Sequence, residues 1–249
     1  MPDKRSHRGP HPEDHALFAP AHWPALQAAT ADLSWLLSHD YALNSALKLV
    51  GDRFQLTDRQ RRAIMRSTCS QQSLASRRAH EIPAADLQTQ TLLLDGYNVL
   101  TTLESALGGG ILLRGMDGCL RDMASMHGHY KRVAETAPAL LLLGETLATL
   151  AVARADILLD APVSNSARLK TVMQTLAAEH RWPWTITLVP DPDPLLARSP
   201  EIIATADSAI LDAVRHAPGA TPPRWTNLAA HIIAQRIPTA TIVPMAAAH

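Results

Sequence analysis

The stretch TLLLDGYN at residues 91–98 decides the fold. Its first four residues form an apolar run that suits a strand buried on both faces, and Asp95 closes that run. Gly96 then permits a tight backbone turn before a helical pattern begins. A buried strand that turns into a helix predicts the first unit of a parallel α/β sheet.

The same alternation continues along the rest of the sequence. Further short apolar runs follow at 156–160, 184–189, 201–205 and 239–243. Helical patterns lie between them at 137–153, 166–180, 207–216 and 227–235. Strands that alternate with helices imply right-handed crossovers and helices on both faces of the sheet. We therefore predict a parallel, three-layer α/β domain over residues 89–249.

The sequence before this domain has a different pattern. Residues 1–20 are rich in Pro, His and charge, which predicts an irregular arm. Over residues 21–88, apolar residues recur at offsets of three and four, which indicates helices. Thr57 followed by Gln60 is a capping-box signal for the start of one of them. We predict a small helical module over residues 21–88.

Composition narrows the class of protein. The 249 residues carry 23 Lys+Arg and 23 Asp+Glu, so the formal net charge is zero, and aromatic residues are only 4%. A platform of stacked aromatics for nucleic-acid bases is therefore not expected. Two cysteines exclude a disulfide framework and indicate a reducing compartment. The longest apolar stretch, 137–153, has Glu145 near its centre and predicts a buried helix, so we expect a cytoplasmic protein without a membrane span.

Charge is unevenly distributed within the neutral total. Residues 53–78 contain seven arginines and one aspartate. Such a stretch on helices either attracts phosphates or forms a solvated face of long side chains, and both interpretations stay open. Two helices joined by a short turn are also compatible with a helix-turn-helix, in which case neutralising these arginines would weaken duplex DNA binding.

Acidic residues follow successive predicted strands. They are Asp95, Asp160, Asp191, Asp193 and Asp207. Ligands of open parallel sheets bind outside the carboxyl ends of the strands, so these carboxylates are expected to converge on one crevice. Oxygen ligands favour Mg²⁺ or Mn²⁺, which suits phosphodiester chemistry. A single Asp after a strand is also a common helix cap or turn residue, and this alternative stays open for each position.

Further residues are candidates for binding a substrate phosphate. Ser164, Asn165 and Ser166 precede a helix that carries Arg168, where backbone amides and hydroxyls make an anion site or an ordinary cap. The glycine-rich run 108–118 contains Arg114 and predicts either a flexible loop that admits a nucleic-acid backbone or a tight turn. Arg114, Asp117, Arg121 and Asp122 are alternatively a buried ionic network. The spacing of His127, His129, Tyr130, Lys131 and Arg132 favours a solvated polar face over a metal site, and a position lining the crevice stays open.

Three stretches resemble a known superfamily. Asp95-Gly96-Tyr97-Asn98, the strand that ends at Asp160, and Ala204-Thr205-Ala206-Asp207-Ser208 are similar to the PIN-like superfamily, especially its NYN branch of metal-dependent ribonucleases. The resemblance covers about residues 90–245 and implies active-site roles for Asp95, Asn98 and Asp207, and Ser208 of the last motif is a further candidate for binding the substrate. The superfamily usually adds an acid from a helix. Glu104, Asp117, Glu135 and Glu145 are the candidates for it.

The whole chain also resembles a prokaryotic family with a helical N-terminal domain of unknown function. The resemblance includes the stretches 8–14, 46–52 and 163–166, and it implies no activity.

Together these observations predict a ribonuclease that uses Mg²⁺ or Mn²⁺ and acts on RNA. Asp95, Asp160, Asp207 and Asp193 are the predicted metal ligands, and Asn98 orients the first carboxylate. The alternative is a noncatalytic RNA- or nucleotide-binding module whose basic helices dock a protein partner.

Overall fold

The structure is a computed structural model that describes residues 7–123, 130, 132–213 and 222–247. Its helices are α1 Asp14–Leu17, α2 Trp23–Ser38, α3 Leu43–Arg53, α4 Asp58–Ser67, α5 Gln71–His80, α6 Gly96–Leu107, α7 Thr136–Thr149, α8 Ser166–His180, α9 Asp193–Ala197, α10 Ser208–Leu211 and α11 Leu228–Arg236. Its strands are β1 Thr91–Asp95, β2 Leu112–Arg114, β3 Leu120–Asp122, β4 Arg154–Asp160, β5 Trp184–Val189, β6 Ile202–Ala204, β7 Trp225–Thr226 and β8 Ile242–Pro244.

The main sheet is parallel, with strand order β5-β4-β1-β6-β7. The chain runs outward from β1 to β4 and β5, then returns to the other side of β1 for β6 and β7. This reversal creates a topological switch point between β1 and β6, which is where open α/β sheets bind ligands. The predicted α/β fold with a helical N-terminal region is confirmed.

Alternation along the strands produces the three layers. Leu92 and Leu94 of β1 point into the large core formed with α6, α7 and α11, whereas Leu93 packs on the opposite face beside α9 and α10. Residues at successive positions of a strand face opposite sides of the sheet, so a run of consecutive leucines fits a strand covered on both faces.

A second sheet corrects two expectations. Its order is β3-β2-β8, so the strand predicted at 239–243 does not join the main sheet. Instead β8 pairs in parallel with β2, which lies inside the glycine-rich run that was expected to be a loop or turn. The fifth position of the main sheet belongs to β7, which has only two residues and gave no periodic signal.

The helical module closes its core on this second sheet. Leu26, Leu33 and Ile64 of the module share one apolar cluster with Leu113 of β2 and Val243 of β8. The helices start as predicted where local capping governs them: the Thr57 side chain and the Gln60 backbone and side chain form a capping box at α4. The predicted boundary at residue 88 therefore separates sequence patterns, while the apolar core extends across it.

Residues 7–20 are more ordered than the expected irregular arm, and residues 1–6 of that arm lie outside the described residues. Asp14 begins α1, is 2% exposed, and accepts hydrogen bonds from Arg59 Nε at 2.5 Å and Nη2 at 2.8 Å. The carbonyl of Arg8 lies 2.6 Å from where a Cβ of Gly108 would stand. Glycine at position 108 therefore allows the N-terminal segment to pack closely against the glycine-rich run.

Among the described residues, no helix is long and apolar enough to cross a membrane. The apolar stretch expected to be a buried helix is α7, whose inward face contributes Leu140, Leu143 and Leu147 to the main core.

Candidate functional site

Asp95 stands where β1 passes directly into α6. Its side chain caps the helix by accepting a hydrogen bond from the backbone N–H of Asn98 at 3.3 Å. A Cβ at Gly96 would lie 2.6 Å from the carbonyl oxygen of Leu158 in the neighbouring strand. Glycine is therefore needed for α6 to begin so close to the sheet, and this close approach places Asp95 at the switch point.

Asn98 and Thr205 join the ends of β1 and β6. The side-chain oxygen of Asn98 accepts the backbone N–H of Ala206 at 2.8 Å. The Thr205 hydroxyl donates to Asp95 Oδ2 at 2.9 Å and accepts the backbone N–H of Asp207 at 3.0 Å. Sequence reasoning gave Thr205 no role of its own, although it is the residue that links the two acids.

The other acids follow their strands as expected. Asp160 ends β4, and Asp191 and Asp193 follow β5. Asp207 caps α10 by accepting the backbone N–H of Ala209 at 2.7 Å. Asp207 is therefore both a helix cap and a member of the acidic group, as the two alternatives predicted. We call Asp95, Asp160, Asp191, Asp193 and Asp207 the acidic edge.

Electrostatic effects connect the members of the acidic edge. Burial, and then the charges of Asp207 and Asp193, raise the pKa of Asp95 from 3.8 to about 7 against the hydrogen bonds that stabilise its charge. Burial and the nearby charges of Asp207, Asp191 and Asp160 raise the pKa of Asp193. Burial and Asp191 raise the pKa of Asp160. Each carboxylate therefore disfavours ionisation of its neighbours.

The acidic edge has no basic counter-ion within the described ranges, where none of its five carboxylates forms an ion pair with Lys, Arg or His. In the same ranges, no three His, Cys, Asp or Glu side chains are arranged as a ready metal-binding group. Asp95 and Asp207 are linked by hydrogen bonds through Thr205, while the remaining acids interact with this group only through the electrostatic effects of their charges. The arrangement is a set of mutually repelling oxygen donors on separate strand ends.

The four candidates for an additional helical acid are all engaged elsewhere. Glu104 is fully buried and accepts Arg8 Nε at 2.7 Å, the Tyr130 hydroxyl and the Thr136 hydroxyl. Asp117 pairs with Arg77 and Arg121, Glu135 with His7, and Glu145 with Arg236. A further acid is linked to α6 near the site through a threonine hydroxyl.

That acid is Asp122 of β3, which is 4% exposed. The Thr102 hydroxyl contacts both the Asn98 carbonyl at 2.9 Å and Asp122 Oδ2 at 3.3 Å. The alternative of a buried ionic network among Arg114, Asp117, Arg121 and Asp122 is confirmed for Asp117 and Arg121, which pair with each other, whereas Arg114 is exposed at the end of β2.

The residues predicted to bind a substrate phosphate separate into two groups. Ser166 is buried, and its hydroxyl contacts the carbonyls of Asp160 and Val163 and the Tyr97 hydroxyl. Its contacts fix the loop after β4, which is a structural role. Ser164 and Ser208 are half-buried.

Asn165 and Arg168 instead line a cavity of about 200 Å³, together with Arg132, Tyr130 and Leu169. The Asn165 amide donates to the Tyr130 carbonyl at 3.0 Å. Within the part of the chain that the structure describes, neither arginine has an acidic partner. Arg132 and Tyr130 belong to the polar cluster predicted from sequence, whose His127, His129 and Lys131 lie outside the described residues.

The arginine-rich stretch is largely neutralised by acids from elsewhere in the chain. Arg53, Arg59, Arg61 and Arg77 pair with Asp32, Asp14, Asp52 and the two acids Asp117 and Asp212, respectively. Arg62 and Arg78 are exposed and make no ion pair with a described residue. These ion pairs reduce the expected basic docking surface to a few side chains. The sequence did not predict this, because the neutralising acids cannot be identified from the local sequence.

Two family models match this sequence. One is described as a domain of unknown function (DUF5616) and covers residues 84–220, and the other is described as a protein of unknown function (DUF434) and covers residues 25–80. A protein of Methanocaldococcus jannaschii described as uncharacterized is 28% identical over 187 residues, which are 75% of this chain and 89% of that protein. No solved structure matches.

Proposed function

We propose that this chain, which belongs to the DUF5616 family of domains of unknown function, is a divalent-metal-dependent ribonuclease whose reaction occurs at the acidic edge. One observation carries the proposal: Asp95 and Asp207 lie at the sheet's switch point, joined through Thr205, and neither has a basic partner among the described residues, while the charge of Asp207 adds to burial in raising the pKa of Asp95. Like charges that raise a neighbour's pKa are relieved by a proton or by a bound cation. The choice of RNA depends on the resemblance of residues 95–98 to the NYN branch.

The donor chemistry fits Mg²⁺ or Mn²⁺. Asp95 and Asp207, which Thr205 links, would hold the ion, with Asp193 and Asp160 further along the edge, and all of them offer hard oxygen ligands. Mg²⁺ in proteins is commonly bound by one or two carboxylates, with the remaining ligands from water and substrate phosphates. A ready group of three side chains is therefore not required. The ion would polarise the phosphodiester and supply a nucleophile at neutral pH.

The protein's own residues set the position and protonation of the ligands. The Asn98 amide holds the peptide before Asp207, and the Thr205 hydroxyl holds Asp95 Oδ2. Asp95 binds a cation only after it loses its proton, and its pKa is about 7. We therefore expect the affinity for Mn²⁺ to rise between pH 6 and pH 8 and to level off above that range.

The cavity beside Arg132 and Arg168 fits a phosphate of the RNA backbone. Two guanidiniums present donors in a planar fork that suits phosphate oxygens. Asn165 lies on the loop that leaves Asp160, so this loop connects the cavity to one end of the acidic edge. An acidic edge for cations and a neighbouring basic cavity for phosphate is the division of charge that phosphodiester cleavage needs.

Cleavage of labelled RNA tests the proposal. The full chain is incubated with single-stranded RNA, hairpin RNA and single-stranded DNA of the same sequence, with Mg²⁺, Mn²⁺ or EDTA. We expect cleavage of RNA that EDTA abolishes and that Asp95→Asn and Asp207→Asn each reduce by about 100-fold or more. Asp86→Asn is the matched control, since it removes an exposed carboxylate outside the acidic edge.

The outcomes separate the enzyme from the alternative class. RNA that is bound but never cleaved, with binding unaffected by Asp95→Asn, would favour a noncatalytic RNA-binding module and reject the nuclease. For the cavity, Arg168→Ala should weaken single-stranded RNA binding and reduce the slope of log affinity against log salt by about 0.7. An unchanged slope would remove Arg168 from the phosphate contacts.

A further inference from the structure

The chain segment that carries Asp207 is held at both of its ends by arginines. Arg121 of β3 donates from Nε to the carbonyl oxygen of Ala206 at 2.8 Å, immediately before Asp207. Arg77 of α5 donates from Nε and Nη2 to the two carboxylate oxygens of Asp212, at 2.9 and 2.7 Å, immediately after α10. The short helix that begins after Asp207 is therefore fixed between two guanidiniums.

The two arginines form one buried unit through Asp117. Arg77 Nη1 contacts Asp117 Oδ2 at 2.5 Å, and Arg121 donates to both Asp117 oxygens at 2.9 and 2.6 Å. Arg77, Arg121 and Asp117 are 3%, 5% and 7% exposed. Burial opposes the charge of Asp117, yet the two guanidiniums hold its pKa well below the usual range. The unit therefore stays fully charged at neutral pH.

This unit contributes more to the orientation of the groups that it contacts than to the stability of the fold. Replacing a buried ion network by apolar residues is often neutral or stabilising, so stability alone is a weak reason for it. Bidentate contacts, in contrast, fix the direction of both partners. Direction matters here because Asp207 lies in the repulsive field of Asp95 and Asp193, which would move a loosely held carboxylate outward.

We propose that the helical module positions the acidic edge: Arg77 holds Asp207 beside Asp95, directly through Asp212 and indirectly through Asp117 and Arg121. The role of Asp207 as a cation ligand rests on the proposed function, whereas the restraint on residues 207–212 does not. Arg77 is accordingly a positioning residue that makes no contact with a substrate. The helical module and the α/β domain then together fix the position of the Asp207 carboxylate.

Two measurements on the full chain test this inference. Hydrogen exchange reports the restraint on residues 207–212, and calorimetric titration with Mn²⁺ alone reports its effect on the cation. The main variant is Asp212→Asn, which is nearly isosteric and removes only the pairing charge at a partly exposed position. Arg77→Met is the stronger variant. Arg236→Gln is the control, because it breaks an exposed pair with Glu145.

We expect Asp212→Asn to speed exchange of the amides at 207–212 by about tenfold and to weaken Mn²⁺ binding by about tenfold, as changes to residues that orient ligands commonly do. Arg236→Gln should change neither. A role limited to stability would lower the melting temperature and leave the Mn²⁺ affinity unchanged. That result, or unchanged exchange at 207–212, would overturn the inference.

The two proposals fail separately. If the unmodified chain binds no Mn²⁺, the proposed function fails, and exchange at 207–212 still decides whether Arg77 restrains this segment. If Arg77→Met does not fold, Asp212→Asn provides the decision, since it keeps Asp117 paired with both arginines.

Discussion

Asp95→Asn should make the protein more stable at alkaline pH, which is unusual for a change at a proposed metal ligand. The pKa of Asp95 is about 7 in the folded protein and 3.8 when the carboxyl is unperturbed. Below pH 3.8 both states hold the proton, and above about pH 7 neither does. Between these limits the unfolded state releases its proton first, so the free energy of unfolding falls as pH rises.

The size of this effect follows from the pKa difference. A shift of about three units corresponds to about 4 kcal/mol of destabilisation, which is complete above pH 7. Asparagine and protonated aspartate both offer one acceptor oxygen and a donor, so Asp95→Asn should match the unmodified protein near pH 4. Near pH 8.5 it should be more stable by up to about 4 kcal/mol, because it has no charge to bury.

Urea unfolding at several pH values between 4 and 8.5 measures this prediction. The difference between the two proteins reports Asp95 together with its electrostatic interactions with Asp207 and Asp193, since the remaining titrating groups are common to both. A difference in unfolding free energy that stays constant across this range would refute the burial of an ionisable Asp95. Saturating Mg²⁺ at pH 8.5 should restore stability to the unmodified protein and leave Asp95→Asn unchanged.

Two further predictions concern packing and ion pairs. Gly96→Ala should lower the free energy of unfolding by about 1–3 kcal/mol in urea, because the new methyl would collide with the Leu158 carbonyl; an unchanged urea midpoint would contradict the close approach of α6 to β4. Arg59→Ala should cost about 3–5 kcal/mol by leaving buried Asp14 unpaired. Arg62→Ala, on the same helix but exposed, should stay within about 0.5 kcal/mol, and equal losses for both arginines would refute this distinction.

Features governed by neighbouring residues could be predicted from the sequence. The capping box of Thr57 and Gln60 is local, and α4 starts there. The helix expected at 166–180 has the same bounds in the structure, and the acids expected at strand ends lie there. Buried parallel strands read as continuous apolar runs, which made β1 and β4 recognisable.

Features that depend on distant residues could not be predicted in this way. Strand β2 has three residues within a glycine-rich run, and its partner β8 lies far along the chain. The charge of the arginine-rich stretch depends on acids such as Asp14 and Asp212, which reach it only in three dimensions. For the same reason, the link between Thr205 and Asp95 was missed, because a threonine between two buried alanines gives no signal of its hydroxyl partner.

The core shared between the helical module and the second sheet affects how the chain folds during its synthesis. A nascent chain leaves the ribosome from its N-terminus, and domains generally fold as they emerge. The apolar faces of α2 and α4 are covered partly by Val243 and Met245, which are translated after every strand of the main sheet. During translation these helices therefore leave part of their apolar surface uncovered until Val243 and Met245 have been synthesised.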